Sequence, residues 1–180
     1  QTPSDIAREV LTTEVDALVR LRAELPGCFD DVVTLLQGIE GRVIVSGMGK
    51  SGHVANKIAA TLASTGTPAQ AVHPGEASHG DLGMITTRDT VILISNSGET
   101  RELADIIGHC ARFSIPLVAI TRRADSVLGR AAAHVLLLPD APEACALRMA
   151  PTTSTTLTMA LGDALAVALM QARGFDKQAY

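Results

Sequence analysis

Two loops rich in glycine and hydroxyl side chains carry the residues best suited to chemistry in this chain. The first, Gly47-Met48-Gly49-Lys50-Ser51-Gly52, follows the apolar run Val43-Ile44-Val45-Ser46 and leads into an Ala-rich segment starting His53-Val54-Ala55. The second, Ser95-Asn96-Ser97-Gly98-Glu99-Thr100, follows Val91-Ile92-Leu93-Ile94. Both sit where a strand gives way to a helix. Backbone N–H groups, hydroxyls and an ammonium gathered at a helix start make an anion site, and the anion expected here is a phosphate. Lysine has little structural reason to stand inside a glycine turn, so Lys50 is the first functional candidate.

The spacing Gly47-x-Gly49-x-x-Gly52 matches a dinucleotide fingerprint, and Gly49-Lys50-Ser51 looks like the tail of a Walker A loop. The Walker reading fails because its first glycine would fall on Ile44, inside the strand. The dinucleotide reading wants an acidic residue at the end of the second strand, which instead ends Ala71-Val72-His73-Pro74, with Glu76 only in the loop beyond. Two hydroxyl-bearing loops on one sheet fit a monophosphate better: Ser46, Ser51, Ser95, Ser97 and Thr100, with Lys50, can surround its oxygens. Each hydroxyl taken singly also reads as an ordinary N-cap.

The elements that must hold these loops are legible as a pattern. Strand candidates cover 42–46, 69–72, 90–95, 116–120 and 134–138, and helix candidates cover 52–64, 100–113, 126–132 and 152–172. This alternation predicts an α/β fold with a parallel sheet, and the two loops emerge together at its carboxyl edge. Two further helices precede it, at 4–24 with Ser4 as N-cap candidate and at 29–39. With 180 residues, 47% hydrophobic, 2% aromatic and no Trp, the core must be aliphatic, and one domain is expected. A net charge of −4 and no basic block argue against a nucleic-acid partner. Cys28, Cys110 and Cys145 form no CxxC pair, which fits a reducing compartment. The polar N-terminus and the lack of a run of about 18 apolar residues lead to the expectation of no membrane partner and a cytoplasmic protein.

Five segments, in order, resemble the arabinose 5-phosphate isomerases of the SIS (sugar isomerase) domain family. They are the first glycine loop, His73-Pro74-Gly75-Glu76-Ala77-Ser78-His79-Gly80-Asp81-Leu82-Gly83, Ser95 to Glu102, Glu143-Ala144-Cys145, and Ala150-Pro151-Thr152-Thr153-Ser154-Thr155-Thr156. The resemblance implies a three-layer α/β sandwich with a five-stranded parallel sheet flanked by helices. It further implies an aldose-ketose isomerase that interconverts D-ribulose 5-phosphate and D-arabinose 5-phosphate through an enediol, for the Kdo sugar of lipopolysaccharide, with no cofactor.

On the same basis Lys50, Glu102 and Glu143 are the catalytic candidates. Ser46, Ser51, Gly66, Thr67, His73, His79, Ser95, Ser97 and Thr100 are the candidates for substrate binding, and His73 for an inhibitory zinc. Zinc sites use three or four ligands, which a histidine pair six residues apart does not supply. Against an apolar wall, Glu143 would have a raised pKa suited to a general base. Without the resemblance, Glu102 reads as an acidic residue in a helix's first turn and Glu143 as a solvated loop residue. His53, His109 and His134 read as structural. A homo-oligomer, up to a tetramer, is expected, in which neighbouring subunits can supply His79 or Glu102. The resemblance also implies that fuller family members continue into a Ser-His-Pro-Gly-Gly segment, whose histidine is a fourth catalytic candidate, and a CBS domain pair, so residues 1–180 are expected to be the SIS domain alone, with activity that can be reduced or lost without that histidine. Arg148 stands where the family more often has glycine. The competing reading is a sugar-phosphate sensor without catalysis, which needs hydroxyls and a cation but no paired carboxylates.

Overall fold

Five short apolar runs pair edge to edge in the computed structural model, which describes residues 1–180. They are β1 (Val43–Gly47), β2 (Ala69–Ala71), β3 (Thr90–Ile94), β4 (Leu117–Thr121) and β5 (His134–Leu137), all parallel in the order β2-β1-β3-β4-β5. Every residue of β1, β3 and β4 is buried, as expected of parallel strands covered on both faces. Alternate residues serve opposite faces. Val43, Val45, Ile92, Ile94, Val118 and Ile120 join one apolar core, and Ile44, Val91, Leu93, Leu117 and Ala119 join the other.

The helices divide between these cores. α1 (Pro3–Ala23), α2 (Phe29–Gln37), α3 (Lys50–Ser64) and α7 (Thr153–Ala172) contribute to the first through Leu21, Leu36, Ile58, Leu62, Leu161 and Leu165. α4 (Pro74–Ser78), α5 (Ala104–Phe113) and α6 (Val127–Ala131) contribute to the second through Ala77, Ile106, Cys110 and Leu128. The result is the three-layer sandwich expected from the sequence. α3 and α7 approach closely because Gly162 leaves room: a Cβ there would lie 2.5 Å from Ile58 Cγ1. That contact sets the N-terminal ends of α3 and α7 side by side.

Several details differ from the sequence expectation. α1 is capped by Thr2, not Ser4, through a capping box with Asp5, and Pro3 takes the first helical position. The histidine loop folds as α4 followed by a short 3₁₀ turn, Asp81–Met84, because the His73 ring caps a helix whose first residue is Pro74. By length and composition alone, α7 is apolar enough to cross a membrane, contrary to the expectation that no segment would be. Here it lies against α1, α2 and α3, and the apolarity serves the core.

The strand order reverses between β1 and β3, since β1 continues to β2 on one side while the chain returns to β3 on the other. Such a switch point opens a crevice at the carboxyl edge. The loops after β1 and β3 flank it.

Candidate functional site

α3 starts at Lys50, directly after Gly49, which has no side chain to cap it. Its first N–H groups therefore lack a side-chain acceptor, and the helix dipole favours an anion there. Lys50 is exposed at this end, with Ser51 half-buried beside it.

The loop after β3 is braced internally. Ser95, 2% exposed, hydrogen bonds to Thr100 Oγ1 at 2.7 Å, and its hydroxyl accepts from Gly98 N at 3.0 Å. Gly98 has φ 70°, and a Cβ there would lie 1.9 Å from Ser126 Oγ. Glu99 Oε1 accepts from Val127 N at 3.1 Å and so tethers the loop to the start of α6. Ser97 is exposed, its Oγ accepting from Glu99 N at 3.1 Å. Ser46 is fully buried and donates to Val72 O, tying β1 to the chain leaving β2. Of the hydroxyls expected to bind phosphate, Ser97 is exposed and Ser51 half-buried, while Ser46 and Ser95 are buried with their hydroxyls engaged within the chain.

Three depressions share walls along the edge. A narrow cleft is lined by Ser51, Val54, Asn96, Ser154 and Thr155. Val54 and Thr155 also border a groove of about 450 Å³ that adds Lys50, His53, Thr156 and Asp163. His53 in turn borders a cavity of about 350 Å³ with Gly47, Gly49, Gly52, Asn56 and His73. Through Val54, Thr155 and His53 they adjoin one another as a trough past Lys50, with His53 on the wall between the groove and the cavity.

Glu143 lies behind the first cleft. Its Oε2 accepts from Thr152 N at 2.8 Å, Thr152 Oγ1 at 3.1 Å and Ser154 N at 3.2 Å. It is the anion at the N-terminus of α7. Burial pushes its carboxyl up, but the hydrogen bonds from Ser154 and Thr152 together outweigh burial and hold it below the usual carboxylate range. The expectation of a raised pKa is corrected: the wall around this carboxylate consists of N–H and O–H donors, not of apolar atoms.

The other candidates spread out. Glu102 is exposed in a 3₁₀ turn, Arg101–Leu103, which packs against α4. His73 Nδ1 accepts from Gly75 N at 3.0 Å, and His79 is exposed at the other end of α4. No group of three or more His, Cys, Asp or Glu side chains is arranged to hold a metal ion. Gly66 and Thr67 precede β2 and lie at the amino edge of the sheet. Thr67 is fully buried and accepts from Arg173 Nε at 3.1 Å, and Gly66 lies against the Phe175 ring. Within one chain the fold does not bring these two into the trough.

A SIS domain family model matches residues 38–168. This chain belongs to the SIS domain family. Arabinose 5-phosphate isomerase KdsD of Escherichia coli O157:H7 is 51% identical over 171 residues, 95% of this chain and 52% of the relative. KdsD of Pseudomonas aeruginosa is 50% identical over 172 residues, 96% of this chain and 53% of the relative. The chain thus spans about half the length of the curated relatives it matches. An Escherichia coli CFT073 protein solved in complex with arabinose 5-phosphate has a TM-score of 0.95 and 36% identity, covering 99% of this chain and 97% of that one.

In this SIS domain, sequence reasoning left out Asn96, Ser154, Thr155 and Asp163 and set His53 aside as structural. Asn96 and the Thr152–Thr156 run lay inside segments already singled out, but only the packing of α7 on α3 shows which of them face the trough. His53 gave no motif signal.

Proposed function

We propose that this SIS domain is the isomerase unit that interconverts D-ribulose 5-phosphate and D-arabinose 5-phosphate through an enediol, in the synthesis of the Kdo sugar of lipopolysaccharide. The observation that carries this reading is the pair of adjoining depressions at the uncapped start of α3, one lined by Ser51, Asn96, Ser154 and Thr155 and the other by Lys50 and His53, in a chain that matches the protein bound to arabinose 5-phosphate over nearly the full length of both. The phosphate sits over the mouth of the Ser51–Asn96–Ser154–Thr155 cleft, with Ser97 at its side, against the positive end of α3. The cleft is too narrow to hold it within, at about 10 Å³. The sugar then lies along the groove past Lys50.

The reaction moves a proton between C1 and C2 and builds negative charge on oxygen. Lys50, exposed and close by, stabilises that charge. Glu102 is the carboxylate free to act as base. Its distance from the trough within one chain, beside α4, is resolved by a neighbouring copy supplying it. Exposed apolar residues Ile6, Leu11, Val15 and Val19 on α1 support a homo-oligomer, with a tetramer as its fullest form. The enzyme acts in the cytoplasm, where its sugar phosphates and reduced thiols belong.

One observation favours the sensor reading instead: Glu143 is committed to capping α7, as a residue in a pure binder can be. The discriminating experiment is turnover of D-ribulose 5-phosphate by the full-length protein without added metal, followed by NMR. Product formation supports the isomerase; saturable binding of arabinose 5-phosphate with no turnover overturns it in favour of the sensor.

A further inference from the structure

His53 is the one side chain shared by the two larger depressions. It stands one helical turn after Lys50 on α3, exposed, between the groove and the cavity that reaches His73. The sequence reading as a structural helix residue is not met, because the ring is not part of either core. Among the five histidines, His73 and His109 have a ring nitrogen engaged by the protein, to Gly75 N and Ile85 O. His53 has its ring nitrogens open to the trough. The charged and titratable groups that share its walls are Lys50 on its own helix, Asp163 on α7, and His73 on the chain leaving β2. Asp163 is paired with Lys57 and His73 Nδ1 is taken by Gly75 N, which leaves His53 the trough histidine with neither ring nitrogen engaged by the protein.

An enediol isomerisation needs two kinds of proton transfer. One base serves the carbons, and a second group must give a proton to one oxygen and take it from the other. A lysine ammonium holds its proton too tightly for the second task at neutral pH, whereas histidine exchanges protons there.

We propose that His53 is this second group, an inference that rests on the isomerase reading above. As the carboxylate removes the C2 proton of the aldose, the C2 electron pair forms the C1–C2 double bond, and the protonated His53 ring donates its proton to O1. The neutral ring then removes the proton from the O2 hydroxyl. The C2–O2 double bond forms, C1 takes the proton held by the carboxyl group, and both groups return to their starting states. With the phosphate over the mouth of the cleft and the sugar running past Lys50, the C1–C2 end lies at the His53 wall.

The test compares the full-length protein with its His53→Gln and His53→Asn variants, using D-ribulose 5-phosphate and D-arabinose 5-phosphate. The expected result is a fall in kcat of about a hundredfold or more, with KM and arabinose 5-phosphate binding changed less than about threefold, since the phosphate contacts are intact. The limb of the kcat pH profile between about pH 5 and 8 should vanish. Deuterium exchange from solvent into the C1 position of ribulose 5-phosphate should fall less than isomerisation, because the base at carbon survives. If both variants turn over within about threefold of the parent, or lose binding in proportion to kcat, the role of His53 is overturned and the isomerase reading stands. If the parent itself shows no turnover, the isomerase reading fails and the acid–base role fails with it.

Discussion

The Glu143 carboxylate accepts the Thr152 backbone N–H at 2.8 Å and the Thr152 hydroxyl at 3.1 Å, which puts a side-chain anion on the N-terminus of α7. Ala144 N donates back to Thr152 Oγ1 at 2.8 Å and closes the turn. The start of α7 thus already carries a carboxylate, whereas the start of α3 has no side-chain cap. That difference underlies the proposed placement of the phosphate at α3.

Glu143→Gln should cost about 1 kcal/mol at neutral pH, the size of a lost charged cap. Because the folded carboxyl titrates below its ordinary value of 4.5, its contribution is fully present above the unfolded pKa and fades as pH falls through the folded one. Urea unfolding of parent and variant should differ at pH 7 and converge in acid below pH 4.5. A difference that grew in acid would contradict the cap.

Lys50→Ala should leave stability within about 0.5 kcal/mol, since the side chain is exposed. Its kcat/KM for ribulose 5-phosphate should drop at least tenfold, as expected for a group that stabilises developing charge. Steady-state assays beside a denaturation curve separate the two effects.

Gly98→Ala should destabilise the domain by about 2 kcal/mol or more, because the new Cβ would collide with Ser126 and the backbone is left-handed. The loop carrying Ser97 would move with it. Thermal melts should show the loss, and arabinose 5-phosphate should restore less of the melting temperature than it adds to the parent.

Arg173→Ala should cost about 2 kcal/mol, since it removes donors to Leu36 O at 2.8 Å and Thr67 Oγ1 at 3.1 Å and leaves the buried Thr67 hydroxyl unpaired. The site lies at the other edge of the sheet, so kcat in the surviving folded fraction should be unchanged. Urea titration and assay at matched folded fraction check both.

The three thiols should alkylate in a fixed order. Cys145 is held below its ordinary pKa by N–H groups of Ala150 and Met149 on its sulfur. Burial raises Cys28 and pushes Cys110 up to about 11. At pH 8, iodoacetamide followed by peptide mass mapping should mark Cys145 first and Cys110 only on unfolding.

The sequence by itself determined the architecture, because its signals are local. Apolar β-branched runs covered on both faces, glycine and hydroxyl punctuation after β1 and β3, and a 20-residue apolar helix at the end are each read within a few neighbours. Lys50 was legible for the same reason: a cation in a glycine turn is odd wherever the turn sits. Boundaries such as Thr2 for Ser4 were missed by one cap. What only the tertiary structure decided depends on which distant segments meet. Glu143 looked like a base until Thr152 and Ser154 arrived from α7 to bind it, and hydrogen-bond donors reverse the effect of burial on a carboxylate. The burial of Ser46 and Ser95, and the partners their hydroxyls take from Val72, Thr100 and Gly98, were likewise set by packing. His53 looked structural until α7 and the chain leaving β2 put a depression on each side of it. Spacing tells which residues share a face; packing tells what that face meets.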